Sequence, residues 1–160
     1  MRQISYKPIG IIHTPFKEIE GVPIQPSAGK GIKGHVVINE EYVDGLFDLD
    51  GFSHIYLLYH FHLSKSYELK VKPYLDTQLR GVFSTRVPKR PNPIGLSVVK
   101  LNKIELNTLD IENVDIIDGT PLLDIKPYVE EMNEADQLRI GWLSDYIPEM
   151  KTKRSDKRFK

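Results

Sequence analysis

Residues 81–97 read GVFSTRVPKRPNPIGLS. Two apolar, strand-like stretches flank a central loop with three prolines and three cations, Arg86, Lys89 and Arg90. Proline fixes the backbone φ angle, removes an amide donor and pushes the residue before it into extended geometry. The pattern therefore predicts a rigid, extended loop from which the three cations project. Such a loop either binds an anionic ligand at little entropic cost or is only a solvated turn between two strands.

Similar strand-like runs recur along the rest of the chain, with turn residues between them. Val, Ile, Tyr and Phe are common in these runs, which is typical of half-buried sheet surfaces. The predicted strands are Ile4–His13, His35–Ile38, Phe52–Leu63, Leu79–Ser84, Leu96–Leu106 and Leu109–Ile117. Many strands with few helices indicate a mainly β protein, an all-β sheet or barrel, rather than alternating βαβ units. At 160 residues, the chain is long enough for one domain with a proper core.

Helical patterns are confined to two short segments. The first is Glu40–Leu49, with Asn39 as its N-cap, and the second is Glu134–Leu138. In the first segment, the apolar residues that share one face are Tyr42, Val43, Leu46 and Phe47. One or two short helices are therefore expected beside the sheet.

The formal net charge of zero hides a division along the chain. Six of the 22 Lys and Arg residues lie in residues 151–160, against a single acidic residue, so the remaining 150 residues are net negative. The sequence predicts a domain over residues 1–148 and a basic, mobile tail over residues 149–160 with almost nothing apolar to bury. Such a tail can reach nucleic-acid phosphates, although basic termini also serve solubility alone.

Several classes of protein are excluded by what the chain lacks. There is no cysteine, which excludes disulfides, thiolate metal sites and a cysteine nucleophile. The longest apolar run, Ile55–Leu63, holds two histidines and is too short to span a bilayer. The N-terminus lacks the layout of a signal peptide, so a cytoplasmic protein without a membrane partner is expected. No Gly-x-Ser-x-Gly elbow or phosphate-binding P-loop indicates hydrolase or kinase chemistry.

The run GKGIKG at residues 29–34 matches the dinucleotide-loop pattern G-x-G-x-x-G. That loop requires a buried strand before it and a helix after it. Residues 23–27 contain two prolines and cannot form a central strand, and residues 35–38 have a β pattern. A flexible glycine-rich loop is therefore the better interpretation.

Three of the five histidines lie in one predicted strand, which raises the question of a metal site. Strand alternation places His54, His60 and His62 on one face, with His60 and His62 roughly 7 Å apart. His54 lies roughly 20 Å away along the strand, and the sequence nominates no third ligand. No metal is therefore expected, and the histidines are predicted to pack in the barrel or line a pocket.

Asp115 and Asp118 flank two isoleucines, just before a Gly-Thr-Pro turn. A strand that ends in this way exposes a carboxylate at a sheet rim, where it can hold an amine or hydroxyl or take a proton. The alternative is that Asp118 only satisfies the backbone of its own turn.

These features resemble, in the same order along the chain, the motifs of the TsaA-like (TrmO) family. The matching segments are IGIIHTPFK at 9–17, VPIQPS at 22–27, FSHI at 52–55 with FH at 61–62, FSTR at 83–86 with RPNPIGLS at 90–97, DIIDGTP at 115–121 and DIKPY at 124–128. The similarity spans roughly residues 5 to 130. The resemblance implies a single-domain β-barrel that works as a homodimer. It further implies an S-adenosylmethionine-dependent methyltransferase whose substrate is tRNA, at N6 of the threonylcarbamoyladenosine beside the anticodon.

The resemblance also implies the site residues. The family's cofactor contacts carry over to Gln25, Pro26, Ser27, His62, Leu63, Arg86, Leu96, Asp115, Ile116, Ile117 and Asp118. Arg86 is expected to pair with the methionine carboxylate or an RNA phosphate, because a guanidinium binds either bidentately. Asp118 or His62 is expected to take the N6 proton, so that Asp118, His62 and Arg86 form the predicted catalytic set. Lys89, Arg90, Lys126 and the tail are expected to hold the RNA backbone.

Three hypotheses stay open from the sequence. Longer family members carry a further C-terminal domain that helps with tRNA, and at this length the chain is not expected to include one. A methyltransferase with a different acceptor is therefore the first alternative to the tRNA enzyme. A non-catalytic protein that binds S-adenosylmethionine in the same cleft is the second.

Overall fold

The computed structural model describes residues 3–133 and 139–159. Its strands are β1 (Gly10–His13), β2 (Lys33–Ile38), β3 (His54–His60), β4 (Lys70–Val71), β5 (Arg80–Gly81), β6 (Ile94–Glu105), β7 (Thr108–Glu112) and β8 (Thr120–Pro127). A single α-helical turn, α1, covers Ile147–Met150. Short 3₁₀ segments cover Pro26–Gly29, Glu40–Leu46, Leu49–Gly51, Val82–Ser84, Glu130–Asn133, Gly141–Tyr146 and Lys157–Phe159.

Six of the strands close into a barrel in the order β1-β2-β7-β6-β3-β8. Every neighbouring pair is antiparallel, and β8 closes the barrel by pairing with both β1 and β3. β3 shows why the sequence folds in this way: Ile55, Leu57 and Tyr59 point inward and alternate with partly exposed residues. The prediction of a mainly β barrel with one or two short helices is confirmed.

The apolar interior is divided between two clusters. The larger cluster fills the barrel and includes Ile12, Val36, Ile55, Leu57, Val99, Leu109, Ile111 and Leu122. The smaller cluster joins Val71, Val82, Val87 and Phe159, with Tyr74 packed against it. This second cluster attaches the basic loop and the small β4–β5 ribbon to the C-terminal segment.

Several predicted strand boundaries are wrong, and two strands, β4 and β8, were not predicted. Ile4–His13 contracts to β1, Leu79–Ser84 contracts to β5 followed by a 3₁₀ turn, and Leu109–Ile117 ends with β7. After β7, Asn113 takes a left-handed φ of 69°, which breaks the ladder. β8 carries two prolines and two charges, so its composition hides a strand that is held by pairing on both sides.

The predicted helix at Glu40–Leu49 is wrong in type. The chain forms two 3₁₀ segments there, and Asp48 between them has a left-handed φ of 62°. Asn39 precedes the first segment, but its side-chain amide donates to the Pro8 carbonyl (3.2 Å) and does not cap it. Tyr42 and Leu46 pack against the barrel core and Val43 is half-buried, whereas Phe47 is 83% exposed. The predicted helix at Glu134–Leu138 lies outside the described residues.

The basic C-terminal segment differs from the expected tail. The Ser155 backbone N–H donates to the Val22 carbonyl (2.8 Å), and Gly21 N–H donates to the Ser155 carbonyl (3.0 Å). Phe159 is buried in the smaller cluster, against Tyr74. The expectation of almost nothing apolar to bury missed this one residue, which anchors the end of the chain. Over residues 3–133 and 139–159, no helix has the length and apolar character needed to cross a membrane.

Candidate functional site

A cleft of about 630 Å³ opens at one end of the barrel. Its floor is formed by the end of β3, the start of β6 and the start of β8, and one wall is the basic loop. The segment 141–159 forms another wall. A cleft of this size, mostly apolar with a few polar groups, is typical of small-molecule sites.

Most of the predicted site residues meet in this cleft, although they come from separate segments of the chain. Those that line it are Gln25, His62, Leu63, Arg86, Arg90, Leu96, Asp115, Ile116 and Ile117. The rest of the predicted set does not line it: Pro26, Ser27, Lys89, Asp118 and Lys126. Pro26 and Ser27 form the 3₁₀ turn that follows Gln25, so they lie next to the cleft wall.

Asp118 is held in a turn outside the cleft, contrary to its predicted role as a base. Its Oδ2 pairs with the Lys17 ammonium (2.6 Å), and its Oδ1 accepts the Thr14 backbone N–H (3.0 Å). His13 Nδ1 lies 3.4 Å from the same carboxylate. These contacts, led by the hydrogen bond from Lys17, lower the pKa of Asp118, so the group stays ionised and is a weak proton acceptor. The alternative interpretation, that Asp118 only satisfies the backbone of its own turn, does not describe these contacts, because the carboxylate is held by Thr14 and Lys17 from the segment after β1.

Asp115 is the carboxylate that faces the cleft. Ser97 Oγ donates to Asp115 Oδ1 (2.6 Å), and the Tyr59 hydroxyl lies 3.0 Å from Ser97 Oγ. Burial raises the pKa of Asp115 to about 6, while the Ser97 hydrogen bond and the positive charge of Arg86 act in the opposite direction. A carboxylate in this setting is ionised at neutral pH and still titrates close to it.

Tyr59 and Ser97 were not identified from the sequence as site residues, although Gly95 was a usable signal. Tyr59 lies opposite Gly95 in the β3–β6 ladder, and its ring occupies the space that a Gly95 side chain would need. A glycine inside an apolar strand often marks a close approach of another group. Burial raises the pKa of Tyr59 far above its usual value, so its hydroxyl remains protonated and can donate.

His62 lies two residues after the end of β3, in surroundings that favour its neutral imidazole form. Burial lowers its pKa, and the nearby His60 lowers it further. Thr120 Oγ1 donates to the Ile117 carbonyl (2.7 Å), so its contact with His62 Nδ1 (3.5 Å) requires the ring nitrogen to donate. That tautomer leaves Nε2 with a lone pair that can accept a proton.

The cations of the basic loop point in different directions. Arg86 is exposed within the cleft, where it attracts Asp115, and Arg90 lines the cleft while donating to the Thr85 carbonyl (3.4 Å). Lys89 is instead mostly covered, with its ammonium 3.9 Å from Glu68 Oε1. Lys126 lies near the far end of β8 and pairs with Asp124 (2.8 Å). Of these four cations, Arg86 and Arg90 line the cleft, and Lys89 and Lys126 do not.

The wall formed by the C-terminal segment was not predicted. Its lining residues are Trp142, Leu143, Met150, Ser155 and Phe159. Trp142 Nε1 donates to the Ser84 carbonyl (2.9 Å), and the Arg80 guanidinium lies over its ring (5.3 Å). The signal in the sequence was the chain's single tryptophan, which stands among further apolar residues such as Leu143 and Ile147.

Two other motifs take no part in the cleft chemistry. The glycine-rich run at 29–34 leads directly into β2, so no helix follows it and the dinucleotide pattern has no structural support. Among residues 3–133 and 139–159, no group of three or more His, Asp or Glu side chains is arranged to hold a metal ion.

Comparison with known proteins places the chain among tRNA-modifying proteins and their relatives. The family model for the tRNA-methyltransferase O N-terminal domain matches residues 11–134. A probable S-adenosyl-L-methionine-binding protein of Pyrococcus abyssi is 54% identical over 156 residues, covering 98% of this chain and 85% of the relative. The tRNA (adenine(37)-N6)-methyltransferase of Escherichia coli is 37% identical over 139 residues, covering 81% of this chain and 59% of the enzyme.

Solved structures agree with the sequence relatives. The crystal structure of TrmO from Pseudomonas aeruginosa superposes with a TM-score of 0.73 at 35% identity, covering 88% of this chain. The match spans 63% of that TrmO chain, so the two proteins share one part of the longer structure. Together with the family match over residues 11–134, this means that the chain belongs to the tRNA-methyltransferase O N-terminal domain family.

Proposed function

We propose that this protein is an S-adenosylmethionine-dependent methyltransferase that modifies tRNA at N6 of adenine 37. In its most specific form, the proposal takes threonylcarbamoyladenosine as the acceptor nucleoside. The observation that carries it is the cleft that brings together Arg86, Asp115 and His62 from three distant segments. The names of the relatives, as tRNA (adenine(37)-N6)-methyltransferases and S-adenosyl-L-methionine-binding proteins, support the same cofactor and substrate.

The donor set of the cleft fits S-adenosylmethionine. This molecule has a carboxylate, an ammonium, a cationic sulfur and an adenine ring. Arg86 suits the carboxylate, because a guanidinium binds it bidentately. The partly buried Asp115 complements the positive charges. Apolar side chains that include Leu96 and Ile117 provide a surface for the adenine.

The chemistry required of the chain itself is orientation and proton transfer. Bound S-adenosylmethionine supplies a methyl group that is already activated on a cationic sulfur. The rigid loop and the strand ends lower the barrier by holding the acceptor nitrogen about 3–3.5 Å from the methyl carbon, in line with the bond from that carbon to sulfur. The N6 proton must leave as the new N–C bond forms, and neutral His62 can accept it at Nε2. Asp118 is not proposed for this step, because it is engaged with Lys17 and Thr14.

The tRNA and a second copy of the chain are the proposed partners. Arg90 at the cleft and the basic residues of the C-terminal segment supply positive charge for the RNA backbone. Beside the cleft, Phe83 is 77% exposed, Ile94 is 40% exposed and Leu96 is 44% exposed. Exposed apolar residues of this kind favour a homodimer in which the partner covers this edge of the cleft.

The second candidate is a protein that binds S-adenosylmethionine without tRNA methylation. The names of the Pyrococcus abyssi and Archaeoglobus fulgidus relatives favour it, because they state only S-adenosyl-L-methionine binding. The two candidates share the cofactor and differ in whether a methyl group reaches N6.

Calorimetric titration with S-adenosylmethionine and S-adenosylhomocysteine tests the cofactor first. We expect micromolar binding by the wild type and a large loss in Arg86→Ala. Absence of binding at millimolar ligand by the wild type contradicts both candidates.

Methyl transfer is then measured with isotope-labelled S-adenosylmethionine and tRNA that carries threonylcarbamoyladenosine, followed by mass spectrometry of the nucleosides. We expect labelled N6-methyl product, a large loss in His62→Gln, and wild-type activity in His54→Gln. His54 is a matched control because it lies at the other end of β3, where its Nδ1 contacts Ser53 Oγ (2.9 Å). Binding without any methylated nucleoside supports the second candidate.

A further inference from the structure

Two side chains with hydroxyl groups, Tyr59 and Ser97, are buried beneath the cleft, against the mainly apolar interior of the barrel. Ser97 is 1% exposed and Tyr59 is 5% exposed. Burying a hydroxyl without a hydrogen bond is costly, so each of these groups needs a partner. They find it in one another: Tyr59 and Ser97 are 3.0 Å apart, and Ser97 lies 2.6 Å from Asp115 Oδ1.

The chemistry of the three groups fixes the direction of this chain. An ionised carboxylate accepts hydrogen bonds and donates none, so the single Ser97 proton is directed to Asp115. The Tyr59 hydroxyl must then donate to Ser97 Oγ. The result is a chain of two hydrogen bonds that both point toward the carboxylate, and hydrogen bonds in such a chain polarise one another.

The pKa of Asp115 is set by effects that act in opposite directions. Burial favours the neutral acid, whereas Ser97 from β6, the backbone N–H of Asp115 itself and Arg86 from the basic loop favour the carboxylate. Tyr59 from β3 acts through Ser97, and its ring is held by an edge contact with Phe61 (centroids 5.4 Å apart). The pKa of about 6 that results is only slightly below neutral pH. Loss of any one favourable contact therefore changes the charge of the cleft in the physiological range.

We propose that Tyr59 and Ser97 are positioning residues that keep the Asp115 carboxylate ionised, and that this charge makes the cleft selective for a cationic ligand over a neutral one. The inference rests on the proposed function, since the cationic ligand is the sulfonium of S-adenosylmethionine. S-adenosylhomocysteine is the matched neutral-sulfur ligand, because it keeps the ammonium, the carboxylate and the adenine. The ratio of the two dissociation constants therefore isolates the interaction with the sulfonium charge.

The test is calorimetric titration of both ligands between pH 5 and pH 8, with the wild type, Ser97→Ala, Tyr59→Phe and Asp115→Asn. In the wild type, we expect preference for S-adenosylmethionine at pH 7.5 that is lost as Asp115 gains a proton near pH 6. The midpoint is the pH at which half of this preference is lost. In Ser97→Ala, the midpoint should rise by roughly one pH unit, and in Tyr59→Phe it should rise by less. Asp115→Asn lowers the preference roughly tenfold and removes the part of its pH dependence that comes from Asp115. Any pH dependence that remains in this variant belongs to His62, which lines the same cleft.

Three controls separate positioning from a general loss of structure. Ser97→Thr keeps the hydroxyl, so its midpoint should return toward the wild-type value even if its stability differs. Tyr67→Phe removes an exposed hydroxyl and should leave the midpoint unchanged. Carbon-13 NMR of the Asp115 carboxyl in the ligand-free protein should show the same upward shift in Ser97→Ala, which a purely structural role would not produce.

The outcomes distinguish this inference from the proposed function. If the wild type binds neither ligand, both are overturned. If it binds S-adenosylmethionine but the midpoint is the same in Ser97→Ala, Tyr59→Phe and the wild type, the positioning role is overturned and the proposed function stands. An Asp115 carboxyl that titrates equally in the wild type and in Ser97→Ala also overturns the positioning role.

Discussion

Gly95 lies directly opposite Tyr59 in the β3–β6 ladder, and the Tyr59 ring lies across the space where a Gly95 side chain would stand. The ring atoms would be far inside van der Waals distance of a Cβ at this position. The absence of a side chain therefore lets the tyrosine fold over β6. Its hydroxyl then reaches Ser97, two residues further along the same strand. One glycine thus determines where the polar chain beneath the cleft can form.

The first prediction is that Gly95→Ala displaces Tyr59 and destabilises the barrel. A methyl group forced into a filled site costs typically 1–3 kcal/mol, and we expect a loss in the free energy of unfolding of about that size. Urea denaturation measures it. Gly81→Ala is the matched control, because nothing lies within 4 Å of a Cβ at Gly81 and its φ of −61° suits alanine. Equal stability of the two variants would show that the ring moves aside freely.

The second prediction concerns stability and the charge of Asp115. Its pKa in the folded protein is about 6, above the ordinary value of 3.8. Between these values the unfolded chain releases the proton first, so the free energy of unfolding falls as pH rises through this window. Asp115→Asn carries no charge, so it should exceed the wild type in stability by about 1–3 kcal/mol at pH 8.

Thermal unfolding at pH 8 and at pH 3.5 measures this effect. The advantage of Asp115→Asn should be nearly lost at the lower pH, because the wild-type carboxyl is then neutral in the folded protein and mostly neutral in the unfolded chain. A variant that is less stable than the wild type at pH 8 would mean that the carboxylate is well stabilised by its neighbours and that burial does not dominate.

Local sequence pattern predicted those parts of the fold in which alternation is regular. β3 was recognisable because its sequence is rich in the β-branched, aromatic and aliphatic residues that favour strands, and the structure buries every second one: Ile55, Leu57 and Tyr59. β8 was not, because Pro121, Asp124 and Lys126 obscure the pattern, and the strand depends on hydrogen bonds to β1 and β3. The segment Glu40–Leu49 has helical spacing, but its packing against the barrel produces 3₁₀ turns.

In the candidate site, too, local sequence patterns predicted some features, whereas contacts between residues far apart in the chain were not predictable. The prolines predicted a rigid loop from which three cations project, and two of these cations, Arg86 and Arg90, line the cleft. From the sequence, Asp118 was named as a candidate base and Asp115 as a cofactor contact, whereas the structure places Asp115 in the cleft and Asp118 outside it. Both residues lie in an irregular segment where strand alternation does not apply. The C-terminal wall depends on contacts such as Trp142 with Ser84, 58 residues apart, which no local pattern reveals.

The third prediction tests which contacts attach the C-terminal segment, residues 141–159, to the rest of the cleft. The buried Asp76 carboxylate accepts hydrogen bonds from Arg80 Nε (2.7 Å) and from the Tyr146 hydroxyl (3.2 Å), and Arg80 lies over the Trp142 ring. Asp76→Ala should release the C-terminal segment from the segment that joins β4 to β5 and lower the melting temperature by several degrees. Because Trp142 is the only tryptophan, its emission should shift to longer wavelength. Asp44→Ala, at an exposed position, is the control and should leave the emission unchanged.

The pH dependence of the same contact has a defined direction. Backbone hydrogen bonds, the first from Gln78, and the Arg80 contact lower the pKa of Asp76 below its ordinary 3.8. The stabilisation is therefore present above that ordinary value and is lost as pH falls through the lower value in the folded protein. The wild-type emission should stay constant down to about pH 4 and shift only in stronger acid. A shift between pH 5 and pH 7 would indicate that a different group holds the wall.

The fourth prediction separates two cations to which the sequence assigned the same role in RNA binding. Arg90 lines the cleft, whereas Lys126 lies six residues along β8 from Thr120, roughly 20 Å away along the strand, and pairs with Asp124. Arg90→Ala should weaken tRNA binding and reduce the dependence of log K on log salt by about one unit, as expected for one lost phosphate contact. Lys126→Ala should change neither the affinity nor its salt dependence.

Fluorescence anisotropy with labelled tRNA over a series of KCl concentrations measures both quantities. If Lys126→Ala weakens binding as much as Arg90→Ala does, the RNA must extend along the barrel wall toward its far end, and the proposed approach of tRNA to the cleft alone would be wrong.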